Sequence, residues 1–286
     1  MRIADAVVVV TGAGSGIGAG LAHRFVTEGA RAVVLADRNA ATAAEVAGGL
    51  GERASARGLD VTDEAAVAAL VAEVLAEHGR IDLFCSNAGA GTGTGLHAGN
   101  DDWQRAWELH VMAHVYVARA VLPAMIAAGG GYLLTTASAA GLLSAPGDAP
   151  YTASKHATVG LAEWLAYTYR EYNIRVSVLC PMGVETPLLA DGLAAGSPAA
   201  AAVAASGPVL GVDQVADAVV DALAREAFLV LPHPEVGKFW AAKATDVESW
   251  LTAMARLAGS TGASERGPER AGDERSREER GEGWRA

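Results

Sequence analysis

A run of four valines, Val7 to Val10, passes without a break into Thr11-Gly12-Ala13-Gly14-Ser15-Gly16-Ile17-Gly18, and this junction limits the fold more than any other stretch. An uninterrupted apolar strand belongs in a parallel sheet covered on both faces. The glycines allow a sharp turn, after which Ile17, Leu21 and Phe25 fall on one face of a helix over 16–29. Strand, glycine turn and helix in that order let the backbone approach a pyrophosphate lying on the helix N-terminus. A glycine triplet alone is a weak signal. Asp37 strengthens it, because it ends the second strand (Ala32-Val-Val-Leu35) about twenty residues on, where a carboxylate can bond ribose hydroxyls. No Lys or Arg lies in the loop to take a 2′-phosphate, and Asp37 would repel one. NAD is therefore favoured over NADP, with Arg38 the residue that argues the other way.

Beyond Asp37 the chain keeps alternating. Helical spacing covers 40–50, and a weakly marked strand covers 53–60. Asp63 can cap the next helix, which carries Val67, Leu70, Val71, Val74 and Leu75. A strand over 81–86 closes on Asn87-Ala88-Gly89, and a glycine-rich loop leads into one long helix over 101–127. Strands over 132–137 and 174–180 flank a helix over 151–172. An Ala/Gly-rich stretch to about 208 precedes a helix over 213–225, a strand over 228–231 and a last helix over 235–257. Such alternation predicts an α/β fold: a single Rossmann-like, doubly wound parallel sheet with helices on both faces. No internal boundary shows, so residues 1–258 read as one domain holding the dinucleotide and the chemistry. Residues 259–286 are Gly, Ser, Glu and Arg with Trp284 almost alone as an apolar residue, which reads as a disordered charged tail.

Composition excludes several classes. The net charge is −11, of which the tail contributes −1, and so acidic a body disfavours a nucleic-acid partner. The two cysteines, Cys85 and Cys180, lie in apolar strands and form neither a disulfide framework nor a metal site. Buried thiols point to a reducing compartment. No secretory signal and no membrane span are read, the longest candidate (115–128) being interrupted by Arg119 and Pro123, so a cytoplasmic protein is expected.

Tyr151 and Lys155 are four apart on a predicted helix and so share a face. An unperturbed tyrosine titrates near ~10, and a cation beside it favours the phenolate. That pairing suits proton exchange with an alcohol or carbonyl. Tyr and Lys at this spacing are common on surfaces, so the pair gains weight only with its neighbours.

With those neighbours the chain closely resembles the short-chain dehydrogenase/reductases, in their compact branch, from Ala6 to about Leu257. The resemblance rests on the glycine turn, Asp60-Val61, Asn87-Ala-Gly89, Ser138, Tyr151-X-X-X-Lys155 and Pro181 through Thr186. It implies that Tyr151 is the general acid/base and that Ser138 holds the substrate oxygen against the phenol. Lys155 would bind the nicotinamide ribose and, with the oxidised ring, depress the tyrosine pKa. Gly12, Ser15, Gly16, Ile17 and Gly18 match the pyrophosphate turn, Asp37 and Arg38 the adenosine ribose end, and Asp60 and Val61 the adenine contacts. Asn87, Ala88 and Gly89 border the cofactor, while Pro181, Val184 and Thr186 fall where the family grips the carboxamide.

Two positions depart from the family pattern. His110 stands seven residues after Trp103, where an asparagine usually anchors a water in the proton relay. A histidine there can hold the water, make the relay sensitive to pH, or merely fill the space. Met182 stands where glycine commonly follows Pro181 and brings a flexible apolar side chain to the nicotinamide pocket. The resemblance places Leu142, Leu143, Met182, Leu188 and Leu189 in the substrate pocket, with Trp240 and His97 as further candidates. An apolar secondary alcohol or ketone is the expected substrate. Imine or other carbonyl-like reduction on the same fold, and a non-catalytic dinucleotide sensor, are the competing readings. Trp107, Tyr116, Trp164 and Tyr167 on the two long helices suggest a homodimer or homotetramer.

Overall fold

The computed structural model describes residues 1–264. Seven parallel strands form one sheet in the order β3-β2-β1-β4-β5-β6-β7. They are β1 (Val7–Thr11), β2 (Ala32–Asp37), β3 (Ala54–Gly58), β4 (Leu83–Ser86), β5 (Gly131–Thr136), β6 (Ile174–Leu179) and β7 (Leu229–Val230). The valine run shows why the fold is two-sided. Val7 and Val9 pack into one core with Phe84, Leu133 and Val176, whereas Val8 and Val10 pack into the other with Leu83, Cys85 and Leu134. Strand side chains alternate between faces, so burial on both sides demands apolar residues at every position. The first core is covered by α3 (Glu64–His78), α5 (Ala113–Ala127) and α6 (Ala149–Thr168). The second is covered by α1 (Gly16–Thr27), α2 (Ala40–Leu50) and α9 (Val212–Arg225). The chain winds outward from β1 to β3 and then crosses to β4, so the crevice where strand order reverses lies beyond the C-terminal ends of β1 and β4.

Local chemistry explains most element ends. Asn39 and Asp63 cap α2 and α3 by accepting from backbone N–H groups two and three residues on. Gly79, at φ +77°, closes α3 in the left-handed conformation.

Four expectations need correction. The helix expected over 101–127 is α4 (Asn100–Trp107) joined to α5 through a π turn at Glu108–Met112, which carries His110. The last helix breaks at Asp246, whose side chain accepts from Ser249 N at 3.0 Å and starts a new helix. The result is α10 (Pro234–Thr245) followed by α11 (Val247–Ser260). The helix expected to reach 172 ends at Thr168, after which a 3₁₀ turn over Arg170–Tyr172 leads to Asn173 at φ +57°. The Ala/Gly-rich stretch holds two short helices, α7 (Pro187–Ala194) and α8 (Pro198–Ala205). Each is opened by a hydroxyl cap followed by proline, Thr186-Pro187 and Ser197-Pro198, a start signal that was legible in the sequence.

Of the charged tail, residues 259–260 finish α11, and 265–286 with Trp284 lie outside the described residues. The stretch Asn100–Ala127 is long and apolar enough by composition to cross a membrane, but half of that apolar window is buried against the protein itself. The residues read as an association face are partly open: Trp107 and Trp164 are about half exposed and Tyr167 is exposed.

Candidate active site

The strand ends and the loops that leave them enclose a cleft of about 1250 Å³. Its floor is knitted by Thr11 and Asn87. Thr11 Oγ1 accepts from Asn87 N (2.9 Å) and Ala88 N (3.1 Å), and Asn87 Nδ2 donates to Thr11 O (3.0 Å). Thr136 Oγ1 donates to Asn87 Oδ1 (3.0 Å), so the ends of β1, β4 and β5 are locked at one point.

At one end of the cleft lies the glycine turn. Gly12 has φ +65°, and a Cβ there would stand 2.8 Å from Ala88 Cα, so only glycine lets the turn and the β4 loop approach this closely. No side chain caps the N-terminus of α1, which leaves its first-turn N–H groups for a ligand. Asp37 Oδ2 accepts from Gly14 N and its Oδ1 from Asn39 N, each at 2.9 Å, which fixes the carboxylate at the end of β2. Asp60 Oδ1 accepts from both the backbone and the hydroxyl of Thr62, bonds that hold its pKa below the usual carboxylate value. Turn, uncapped helix and fixed acid together fit a dinucleotide.

At the other end Ser138, Tyr151 and Lys155 come together on α6 and the end of β5. Ser138 Oγ accepts from Ala140 N at 3.1 Å, and the Ser138 side chain is among the groups that act to lower the Tyr151 pKa. Lys155 Nζ donates to Thr136 O at 3.1 Å and lies 5.5 Å from the centre of the tyrosine ring. Burial dominates both titrations. It pushes the phenol up to about 12, against the lowering by Ser138, with Asp148 and Cys180 adding to the rise. It pulls the ammonium down to about 8. The expected depression of the tyrosine by its lysine neighbour is thus absent among the chain's own groups. Desolvation of the phenolate outweighs a cation that sits over the ring rather than beside the oxygen.

His110 lies behind this pair, fully buried, its ring edge-on to that of Tyr151 with centroids 5.3 Å apart. Its Nε2 accepts from Ala90 N (3.3 Å), and its Nδ1 faces Ser154 Oγ (2.9 Å), whose own hydrogen goes to Tyr151 O. Those partners require the neutral Nδ1–H tautomer. Burial first, and then the Lys155 charge, hold its pKa at about 2. Of the three readings of His110, the geometry favours the space-filling one, since both ring nitrogens are engaged by protein groups. The ring ties the Gly89-Ala90 loop to the helix that carries Tyr151.

Gly12, Ser15, Gly16, Ile17, Gly18, Asp37, Arg38, Asp60, Val61, Asn87, Ala88, Gly89, Pro181, Val184 and Thr186 all line the cleft. So do Leu143, Met182, Leu188 and Leu189, but Leu142 does not. It points into the core beneath, while its carbonyl and that of Leu143 accept from Lys243 Nζ at 2.8 and 2.9 Å. Trp240 and His97 are likewise outside the lining. Phe239 takes the place expected of Trp240, and Trp250, Ala253, Met254 and Leu257 of α11 complete the wall. Their spacing of three and four puts them on one helix face, a signal present in the sequence.

Asp148 carries a role the sequence did not suggest. Its buried carboxylate caps α6 at Tyr151 N (3.1 Å) and accepts from Thr92 N (3.0 Å), Gly93 N (2.7 Å) and the Thr92 hydroxyl. The glycine-rich loop is thereby tied to the helix that carries Tyr151 and Lys155. Asp148→Asn turns an amide N–H toward these donors and should lower folding stability by roughly 2 kcal/mol. A urea midpoint equal to that of the unaltered protein would contradict this account.

Comparison with known proteins gives the family of the chain. A family model described as short chain dehydrogenase matches residues 6–194. The chain is 35% identical over 241 residues to 1-deoxy-11-beta-hydroxypentalenate dehydrogenase of Streptomyces avermitilis, covering 82% of this chain and 87% of that protein. A short-chain dehydrogenase/reductase from Burkholderia phymatum, solved with NAD, superposes with a TM-score of 0.80 at 29% identity, over 87% of this chain and 96% of the other. L-sorbose reductase from Gluconobacter frateurii, solved with NADPH and L-sorbose, gives 0.72 at 28% identity, over 81% and 97%. On the family match over residues 6–194 and the identity to the Streptomyces avermitilis relative, the chain belongs to the short-chain dehydrogenase/reductase family of oxidoreductases.

Proposed function

We propose that the protein is an NAD-dependent oxidoreductase that moves a hydride between nicotinamide and an apolar secondary alcohol or ketone. The carrying observation is the convergence of Ser138, Tyr151 and Lys155 on one wall of a cleft whose far end holds the uncapped α1 and the fixed Asp37 carboxylate. A bound nicotinamide supplies or accepts the hydride. The chain's own groups do the rest. Ser138 orients the substrate oxygen, and Tyr151, protonated at neutral pH, gives its O–H proton to that oxygen as a carbonyl is reduced, or takes it back as an alcohol is oxidised. Lys155, whose ammonium lies 5.5 Å from the centre of the tyrosine ring, would bind the nicotinamide ribose.

Asp37 supports NAD over NADP, since a 2′-phosphate would meet a carboxylate already locked by two backbone N–H groups. Related structures hold either cofactor, so the choice rests on this residue. The lining from Leu143, Met182, Leu188, Trp250 and Met254 supports an apolar substrate. Loss of reduced-nicotinamide absorbance with a panel of ketones is the test. NADH is expected to bind roughly tenfold or more tightly than NADPH, and bulky apolar ketones to outrun charged ones. Tighter NADPH binding would overturn the Asp37 argument, and no turnover across the panel would overturn the reaction.

A further inference from the structure

His233 ends the loop after β7 and sits at the cap position of α10 with 1% of its surface exposed. Its ring meets the segment that follows β6. Met182 N–H donates to Nδ1 at 3.2 Å, and Nε2 faces Gly183 O at 3.1 Å. A backbone N–H can only donate and a carbonyl can only accept, so Nδ1 is bare and Nε2 carries the hydrogen. The ring is therefore a single neutral tautomer, opposite to that of His110. Burial favours the neutral form, while the Gly183 and Pro208 carbonyls and Glu235 act the other way.

What the ring holds borders the cleft. Met182 and Gly183 both line the cleft. Pro181 O is taken by Ala139 N (2.8 Å), and Gly183 O also accepts from Leu210 N (3.0 Å). Among the described residues, His233 is the side chain recorded on Met182 N. One imidazole thus clamps the N–H before and the C=O after the Met182–Gly183 peptide, which fixes the backbone that carries the Met182 side chain. That side chain lies over Gly207, where a Cβ would come 2.7 Å from Met182 Cε.

We propose that His233 is a positioning residue for substrate selection: through its two hydrogen bonds it holds Met182 as the wall that sets the girth of alcohol or ketone admitted beside the nicotinamide. It touches neither substrate nor cofactor itself. The proposal rests on the oxidoreductase reading for its kinetic arm but not for its spectroscopic one.

The experiment compares the unaltered protein with His233→Leu, which keeps volume and loses both bonds, and His233→Asn, whose Oδ1 can still accept from Met182 N. The expected result for His233→Leu is a KM for a bulky apolar ketone changed by roughly tenfold, a smaller change for a slender one, and NADH affinity unchanged. His233→Asn should recover part of the selectivity. Equal changes for both ketones, or a parallel loss of NADH affinity, would overturn it. ¹⁵N NMR of the histidine rings in the unaltered protein, assigned with His233→Asn, needs neither turnover nor a folded leucine variant. It should show an Nε2–H imidazole for His233; an Nδ1–H ring or an imidazolium at neutral pH would sink the proposal even if the enzyme is active.

Discussion

Tyr151→Phe is expected to lower kcat by roughly 10²–10⁴-fold while NADH binds as before. The substitution removes one oxygen and leaves the ring, and the ring's own contacts explain why the loss should be confined to chemistry. It keeps its edge contact with His110 and its place beneath the Lys155 ammonium. It keeps the backbone N–H that Asp148 caps. The hydroxyl, in contrast, sits where burial holds its proton far more firmly than in water, up to about 12. An acid with so high a pKa is a poor donor to water but a suitable one to an alkoxide forming within hydrogen-bond reach, because the proton moves only when that charge develops. Stability should change little, since the substitution removes a buried hydroxyl and leaves the ring packing in place. Turnover by Tyr151→Phe equal to that of the unaltered protein would remove Tyr151 from the reaction. A parallel collapse of NADH affinity would show that the ring had moved.

What could be read from the chain, and what could not, divides along a physical line. The valine run, the glycine turn, Asp37 and the Asp63 cap were legible because each acts through its own backbone or its immediate neighbours. The Ser138, Tyr151 and Lys155 grouping was legible because a helix carries two of the three at fixed spacing. Charge states were not. Whether Lys155 lowers the phenol depends on how deeply both are buried, which is a sum over several elements. His110 could be singled out but its tautomer could not, since Ala90 and Ser154 come from a loop and a helix far along the chain. His233 and Asp148 did not stand out in the sequence at all, because their partners also come from distant segments, and Asp148 looks like an ordinary turn acid until the glycine loop folds back onto it. Leu142 and Leu143 are both buried in the core, but of the two it is Leu143 that also reaches the cleft, a difference of one position set by the turn after Ala139–Gly141. The break at Asp246 was missed for a different reason. Apolar spacing continues across it, so only the competition between the Asp cap and the helix reveals it.

Gly18→Ala should abolish tight dinucleotide binding, and here two effects oppose each other. Gly18 lies inside α1, and in a helix alanine is better than glycine by about 1 kcal/mol. By propensity alone the variant would gain stability. Sterics decide otherwise. A Cβ at this position would stand well inside contact distance of Gly12 O, 2.7 Å from the Gly12 carbonyl carbon and 2.8 Å from Asn87 Nδ2. Two of these atoms are backbone in the pyrophosphate turn, and the third belongs to the residue that locks β1 to β4 and β5. None is the free end of a flexible side chain, so helix and turn must separate. A misplacement of about an ångström at such a site costs on the order of 100-fold, and the dissociation constant for NADH should rise by at least that much. Gly48→Ala provides the control, for it too replaces a helical glycine, in α2, where an added Cβ meets nothing within 4 Å. That variant should unfold at a higher temperature and bind NADH unchanged. Calorimetric titration of both variants separates the two terms. If Gly18→Ala bound NADH as tightly as Gly48→Ala, the close approach of helix and turn would not be what holds the pyrophosphate. The uncapped N–H groups of α1 would then have to hold it with the helix displaced.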